Sequence, residues 1–190
     1  RNRLEELERY LSTPQRIVIL SHTNPDGDAL GSSLAWAEIL EKRGHKVTCI
    51  LPNKYPYYLD FMPGCESVVI YKSDNKGRAS EAVKSASLIF CLDFHTMSRL
   101  DGLSDLIDEN QQAKRILIDH HLDPSEDFDL MLSYPQASST CYLVALIIEQ
   151  LYGVENISSS MAENIFVGMM TDTGNFAFSS VTPDVFRMVS

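Results

Sequence analysis

The spacing of apolar positions changes along the chain, and the changes mark out its elements. Residues 4–11 (LEELERYL) repeat their leucines at helical intervals, and Pro14 ends the pattern. Residues 16–21 (RIVILS) form a short, β-branched apolar run, the mark of a strand buried on both faces. A polar loop, HTNPDGD, leads into a helical stretch over 29–43 that stops at Gly44. Further strands are predicted at 46–51 (KVTCIL), 67–71 (SVVIY), 87–92 (SLIFCL) and 114–118 (KRILI). Between them, 72–78 reads as a solvated loop, and 79–86 and 103–112 read as helices. Two longer helices, 139–152 (STCYLVALIIEQLY) and 158–170 (SSSMAENIFVGMM), open on Ser or Thr caps. Short apolar strands alternating with helices predict an α/β fold: a doubly wound, mainly parallel sheet with helices on both faces.

The last stretch, 182–190 (TPDVFRMVS), opens a capped helix that stops in mid-pattern. The expectation is therefore one domain over 1–181, with 182–190 starting a helix toward a further domain that this chain lacks. The 16 Lys and Arg against 26 Asp and Glu give a net charge of −10, which argues against a broad basic face for nucleic acid. The longest apolar run, 142–148, is far short of the ~20 residues that span a bilayer, and the N-terminus has no signal-peptide core. No membrane partner is expected. Cys49, Cys65, Cys91 and Cys141 form no CxxC pair, and Cys49 and Cys91 sit in strand runs as buried apolar side chains. A reducing, cytoplasmic setting fits them.

Chemistry is expected where parallel strands end, because open α/β sheets bind ligands at their carboxyl edge. RIVILS is followed by His22, Asp26 and Asp28; SLIFCL by Asp93; KRILI by Asp119, His120 and His121. The helix ending at Met170 is followed by Thr171-Asp172-Thr173-Gly174. Taken singly, each has a plain reading: HxxxDxD can be a turn with Asp28 as a helix cap, Asp93 a solvated strand end, Asp172 a turn acid. Three consecutive polar residues directly after ILI are harder to explain by solubility, and four such segments together point to a site. Asp and His are ligands for divalent ions such as Mn²⁺, and carboxylates this crowded need cations to offset their mutual repulsion. Two ions sharing one carboxylate would meet that need, an arrangement suited to in-line displacement at phosphorus. A dinucleotide fold would instead show GxGxxG after the first strand, and a haloacid-type phosphatase would place DxD directly at the strand end. Neither is present.

HTNPDGDALGSSL, CLDFHTMSRL, ILIDHHLDP and MMTDTGNFAFSS, in that order, resemble the successive motifs of the RecJ-like DHH phosphoesterase superfamily over residues 16 to about 182. The DGDALGS spelling, Ser138-Ser139-Thr140 before a helix, and TDTGNF resemble most its bacterial oligoribonuclease/3′-phosphoadenosine-5′-phosphate phosphatase branch. The resemblance implies that His22, Asp26 and Asp93 hold one Mn²⁺ and that Asp28, Asp93, His120 and Asp172 hold the other, with Mg²⁺ or Co²⁺ as substitutes. A hydroxide between the ions would attack phosphorus. His121 would face the scissile phosphate and Asp119 would orient an imidazole. Arg99 and Ser32 are candidate substrate contacts; His45 and His95 are assigned no catalytic part. The implied substrates are short RNA oligonucleotides and 3′,5′-bisphosphorylated nucleosides, with cyclic or linear dinucleotides as the enzymatic alternative. Inorganic pyrophosphate and polyphosphate are further substrates within the superfamily, a non-catalytic nucleotide- and metal-binding module is the alternative of another class, and a homodimer is left open. Family members carry a smaller, basic second domain that grips the far end of the substrate, and nothing in this chain corresponds to it.

Overall fold

Each β-branched run forms a strand, and each strand alternates its side chains between two cores. In the computed structural model, which describes residues 2–172 together with Pro183 and Arg187, six parallel strands form one sheet. They are β1 (Arg16–Leu20), β2 (Lys46–Leu51), β3 (Val69–Ile70), β4 (Leu88–Leu92), β5 (Lys114–Asp119) and β6 (Leu130–Ser133), in the order β3-β2-β1-β4-β5-β6. The helices are α1 (Asn2–Tyr10), α2 (Gly27–Lys42), α3 (Arg78–Ser85), α4 (Leu103–Asp108), α5 (Thr140–Tyr152) and α6 (Ser159–Asp172). On one face Ile17, Ile19, Phe90, Ile116 and Ile118 pack with α1, α2, α5 and α6. On the other, Val18, Leu20, Ile89, Cys91 and Leu117 pack with α3 and α4. The doubly wound parallel sheet is the one expected. None of the described helices is long and apolar enough to cross a membrane.

The chain begins in the middle of the sheet, winds outward to β3, and returns to lay β4 on the other side of β1. The crossovers diverge at that point and leave a crevice beyond the carboxyl ends of β1 and β4, the usual ligand position in such sheets.

The sequence pattern missed β6. Its LMLS lacks β-branching, follows a polar stretch and alternates buried with half-buried positions, as an edge strand does. Reciprocal bonds start its pairing: the Asp129 N–H donates to the Arg115 carbonyl at 2.8 Å, and the Arg115 N–H to the Asp129 carboxylate at 2.9 Å. The strand expected over 67–71 is reduced to Val69–Ile70 between two 3₁₀ turns. Helix α4 stops at Asp108 instead of 112, because the Asn110 carboxamide oxygen takes the N–H groups of Gln112 and Ala113 and forms a turn there. The helix expected from 182, and Thr173 and Gly174 of the TDTG segment, lie outside the described residues apart from Pro183 and Arg187.

Helix α2 is buried almost all round and packs tightly against α6 at two glycines. A Cβ on Gly31 would stand 2.3 Å from the Asn164 carbonyl oxygen of α6, and one on Gly168 would stand 3.1 Å from the Asp28 Cα of α2 and 2.1 Å from the Cys141 sulfur of α5. The first obstacle is backbone, so relief requires the two helices to part. Gly31→Ala is therefore expected to destabilise the fold by about 1–3 kcal/mol through overpacking. Thermal unfolding followed by circular dichroism should show a midpoint lower by several degrees, at roughly 2–4 °C per kcal/mol for a chain of this size. An unchanged midpoint would contradict the close contact.

Candidate metal centre

The ends of β1 and β4 are tied together before either delivers a ligand: the Ser21 hydroxyl donates to the Leu92 carbonyl at 2.8 Å, buried. The next residue, His22, places Nδ1 2.8 Å from its neighbour's carbonyl at Thr23 and Nε2 3.2 Å from Asp93 Oδ2. Asp26 caps α2, with Oδ1 accepting the Ala29 N–H at 2.9 Å, and the same oxygen lies 3.9 Å from His22 Nε2. The cap of this helix is thus Asp26 and not Asp28. Asp28, one residue into α2, is fully buried and turned the other way. Its carboxylate receives the Thr140 N–H at 2.9 Å and the Cys141 N–H at 2.8 Å, free amides of the first turn of α5, whose dipole favours a negative charge there.

Asp93 is where the segments converge. It sits just past β4 with φ of 66°, a left-handed conformation unusual for a residue other than glycine. That turn aims a buried carboxylate back over the strand ends. Oδ1 accepts the Thr140 hydroxyl at 3.0 Å and lies 3.5 Å from His120 Nε2, while Oδ2 faces His22. His120 has Nδ1 3.3 Å from the Ala137 carbonyl, and Nε2 3.1 Å from Asp172 Oδ2 and 3.7 Å from Asp28 Oδ2. Ligand atoms of His22, Asp26 and Asp93 form one group, and those of Asp28, Asp93, His120 and Asp172 another, each within 4.8 Å. Asp93 is common to both.

Two features of this arrangement suit divalent ions. Both histidines engage Nδ1 with a backbone carbonyl and turn Nε2 into the carboxylates, which fixes the tautomer that leaves a lone pair inward. The charges are also unbalanced. Burial, followed by the charges of Asp93 and Asp172, holds the Asp28 carboxyl well above the usual range. Burial and Asp93 raise Asp26 as well. Burial alone would lower both imidazoles, yet the facing carboxylates win: Asp172 and Asp93 push His120 up to about 10, and Asp93 raises His22. Asp93 itself, despite its burial, is held low by His120 and His22. Protons occupy the places that cations would take.

The DHH segment splits into two functions. Asp119, the last residue of β5, is fully buried, and its carboxylate receives His121 twice, from the backbone N–H at 3.1 Å and facing Nδ1 at 2.7 Å. That contact raises the His121 imidazole above its ordinary value. His121 is half-exposed, so its other nitrogen is open to a ligand. Arg99 is exposed in the 3₁₀ turn Met97–Leu100, and its carbonyl accepts the Thr23 N–H at 2.8 Å, joining the loops after β1 and β4. Ser32 is fully buried within α2, its hydroxyl donating to the Asp28 carbonyl at 2.7 Å, so it presents no group to a substrate. His45 accepts the Gln15 N–H on Nδ1 at 3.1 Å, away from the strand ends.

Sequence reasoning gave no part to two residues that the site includes. Thr140 touches Asp28 through its backbone and Asp93 through its hydroxyl; its only signal was the run of Ser and Thr before an apolar helix. His95 stacks on His121, with ring centroids 5.6 Å apart and planes inclined by 28°. All four cysteines are buried and unpaired; burial pushes the Cys49 and Cys91 thiols up to about 12, and burial beside Asp28 raises Cys141 as well.

Residues 16–169 match the family model described as DHH family, N-terminal domain. The bifunctional oligoribonuclease and PAP phosphatase NrnA of Bacillus subtilis is 31% identical over 189 residues, covering 96% of this chain and 54% of the relative. The protein of the same name from Thermus thermophilus is 30% identical over 174 residues, covering 92% of the chain and 48% of the relative. The chain thus spans about half the length of these curated relatives. Among solved structures, an exopolyphosphatase-related protein from Bacteroides fragilis superposes with a TM-score of 0.94 at 34% identity, over 99% of this chain and 55% of that one.

Since Asp172 and Asp93 push His120 up to about 10, a divalent ion bound there must displace its proton. Affinity for Mn²⁺ should therefore rise with pH and still be rising between pH 7 and 9, where His120 remains protonated in the ion-free protein. Calorimetric titration in buffers of different ionisation enthalpy should report net proton release at pH 7.5. A heat independent of buffer would contradict this.

Proposed function

Because the chain belongs to the DHH family, we propose that it is a divalent-metal-dependent phosphoesterase that hydrolyses short oligoribonucleotides and 3′,5′-bisphosphorylated nucleosides. The observation that carries the reading is the pair of imidazoles, His22 and His120, each anchored through Nδ1 and turned through Nε2 onto the shared carboxylate of Asp93. The relatives named as oligoribonuclease and PAP phosphatase support the substrate class. His22, Asp26 and Asp93 would hold one ion and Asp28, Asp93, His120 and Asp172 the other, with Mn²⁺ preferred and Mg²⁺ or Co²⁺ as substitutes. When bound, such a pair lowers the pKa of water and neutralises phosphoryl oxygens.

The chain's own residues supply the rest. Asp93, held in place by the Thr140 hydroxyl, keeps the two ligand groups at a fixed separation. Asp28 is locked on the α5 amides and cannot swing away from its group. His121, with Nδ1 on Asp119, presents Nε2 to the substrate. The Asp119 contact raises the pKa of this imidazole and so favours a proton on that atom, which could pass to the ribose oxygen as the ester P–O bond breaks. Water adds to phosphorus and the ribose leaves as an alcohol, so a diester yields a nucleoside monophosphate and a 3′-monoester yields phosphate.

Asp93→Ala should abolish binding of both ions and lower kcat by at least about a hundredfold, the scale for losing one preorganised electrostatic partner. Asp26→Ala should lose one ion only. Metal content after dialysis against Mn²⁺ checks both, and two ions retained by Asp93→Ala would refute the shared ligand. Assays on bisphosphoadenosine, a diadenylate and pyrophosphate test the substrate class. Hydrolysis of pyrophosphate with no cleavage of either nucleotide would overturn it.

A further inference from the structure

The hydrogen bond to Asp119 fixes one atom of the His121 ring, but a half-exposed imidazole held at one nitrogen can still tilt about that contact. A second restraint lies against its face. The loop after β4 is fastened at successive residues: Asp93 takes the left-handed turn, and Phe94 is buried in the core beside α3 and α4. The next residue, His95, accepts the Ser125 N–H on its carbonyl at 2.9 Å, which joins this loop to the segment that follows His121. The His95 ring is thereby laid nearly parallel to His121, whereas the other neighbouring ring, His120, is tilted by 52° at 4.7 Å and gives no flat support.

We propose that His95 is a positioning residue: its ring, stacked on His121, holds that imidazole with Nε2 turned away from Asp119 and toward the phosphoester. The role of His121 rests on the phosphoesterase reading, but the stack does not. His95 belongs to none of the three candidate ligand groups that contain Asp93. It can therefore be replaced without removing an ion. A ring nitrogen of His95 does lie within 4.8 Å of both an Asp119 carboxylate oxygen and a His121 ring nitrogen. The competing role is thus a polar one through that nitrogen, and the substitutions are chosen to separate the two.

His95→Phe keeps the flat face and removes the nitrogens; His95→Asn keeps a polar group and removes the face. With bisphosphoadenosine as substrate, His95→Ala and His95→Asn should each lower kcat about tenfold, the order of loss for a misplaced catalytic group, with KM and Mn²⁺ stoichiometry held. His95→Phe should recover most of the rate. In the Mg²⁺-loaded protein the ring proton resonances of His121 should move and broaden in His95→Ala, and stay sharp in His95→Phe. Loss in His95→Phe with retention in His95→Asn would assign the function to the nitrogen and overturn the proposal. So would an unshifted His121 resonance in His95→Ala, whatever the activity. A wild-type protein that cleaves no phosphoester would sink the phosphoesterase reading, and the resonance comparison would still decide the stack.

Discussion

Burying several carboxylates at one sheet edge is the constraint around which the rest of the molecule is arranged. Asp28 and Asp93 have almost no contact with solvent, and Asp172 is close to both. Like charges at this spacing in a desolvated crevice cannot all remain ionised without compensation. The protein supplies it from several directions at once. The α5 N-terminus donates two amides to Asp28, the Thr140 hydroxyl serves Asp93, and two imidazoles complete the set. These groups reach the carboxylates from three segments: His22 after β1, His120 after β5, and the first turn of α5, which supplies both amides and the hydroxyl. The fold is the device that makes the charge density tolerable, and divalent ions are its natural complement.

The strands that carry this site were legible because each is buried on both faces and so reads as an unbroken apolar run. RIVIL, LIFCL and KRILI announce themselves, and so do the polar residues that interrupt them at Asp93 and His120. What escaped the sequence was governed by partners distant in the chain or by side chains competing with the backbone. β6 is an edge strand whose pairing is set by Asp129 and Arg115, and α4 is cut short by one carboxamide at Asn110. Asp26 took the cap that the pattern allowed to Asp28, since only the fold shows which of the two carboxylates turns outward. The part of His95 was invisible for a different reason. A ring stack leaves no spacing rule, and it required the Ser125 bond to bring two loops together.

The acidic composition also changes its meaning. A net charge of −10 argued against a broad basic face for nucleic acid. Four of the negative charges, on Asp26, Asp28, Asp93 and Asp172, belong to the ligand groups, and two divalent ions would cancel them. An anionic substrate would then meet a crevice that is locally neutralised within a chain that is acidic as a whole. Any attraction for an anion would then come from the ions held in that crevice.

The bond from the α5 amides to Asp28 closes a span of 112 residues. During synthesis the first strand and α2 emerge long before α5, so Asp28 stays in water until that helix arrives to cover and pair it. Burying it with the later helices packed elsewhere would leave a desolvated acid without its amides, a cost of about 1–3 kcal/mol. The amides that hold the carboxylate therefore disfavour compact forms in which the later helices have packed elsewhere.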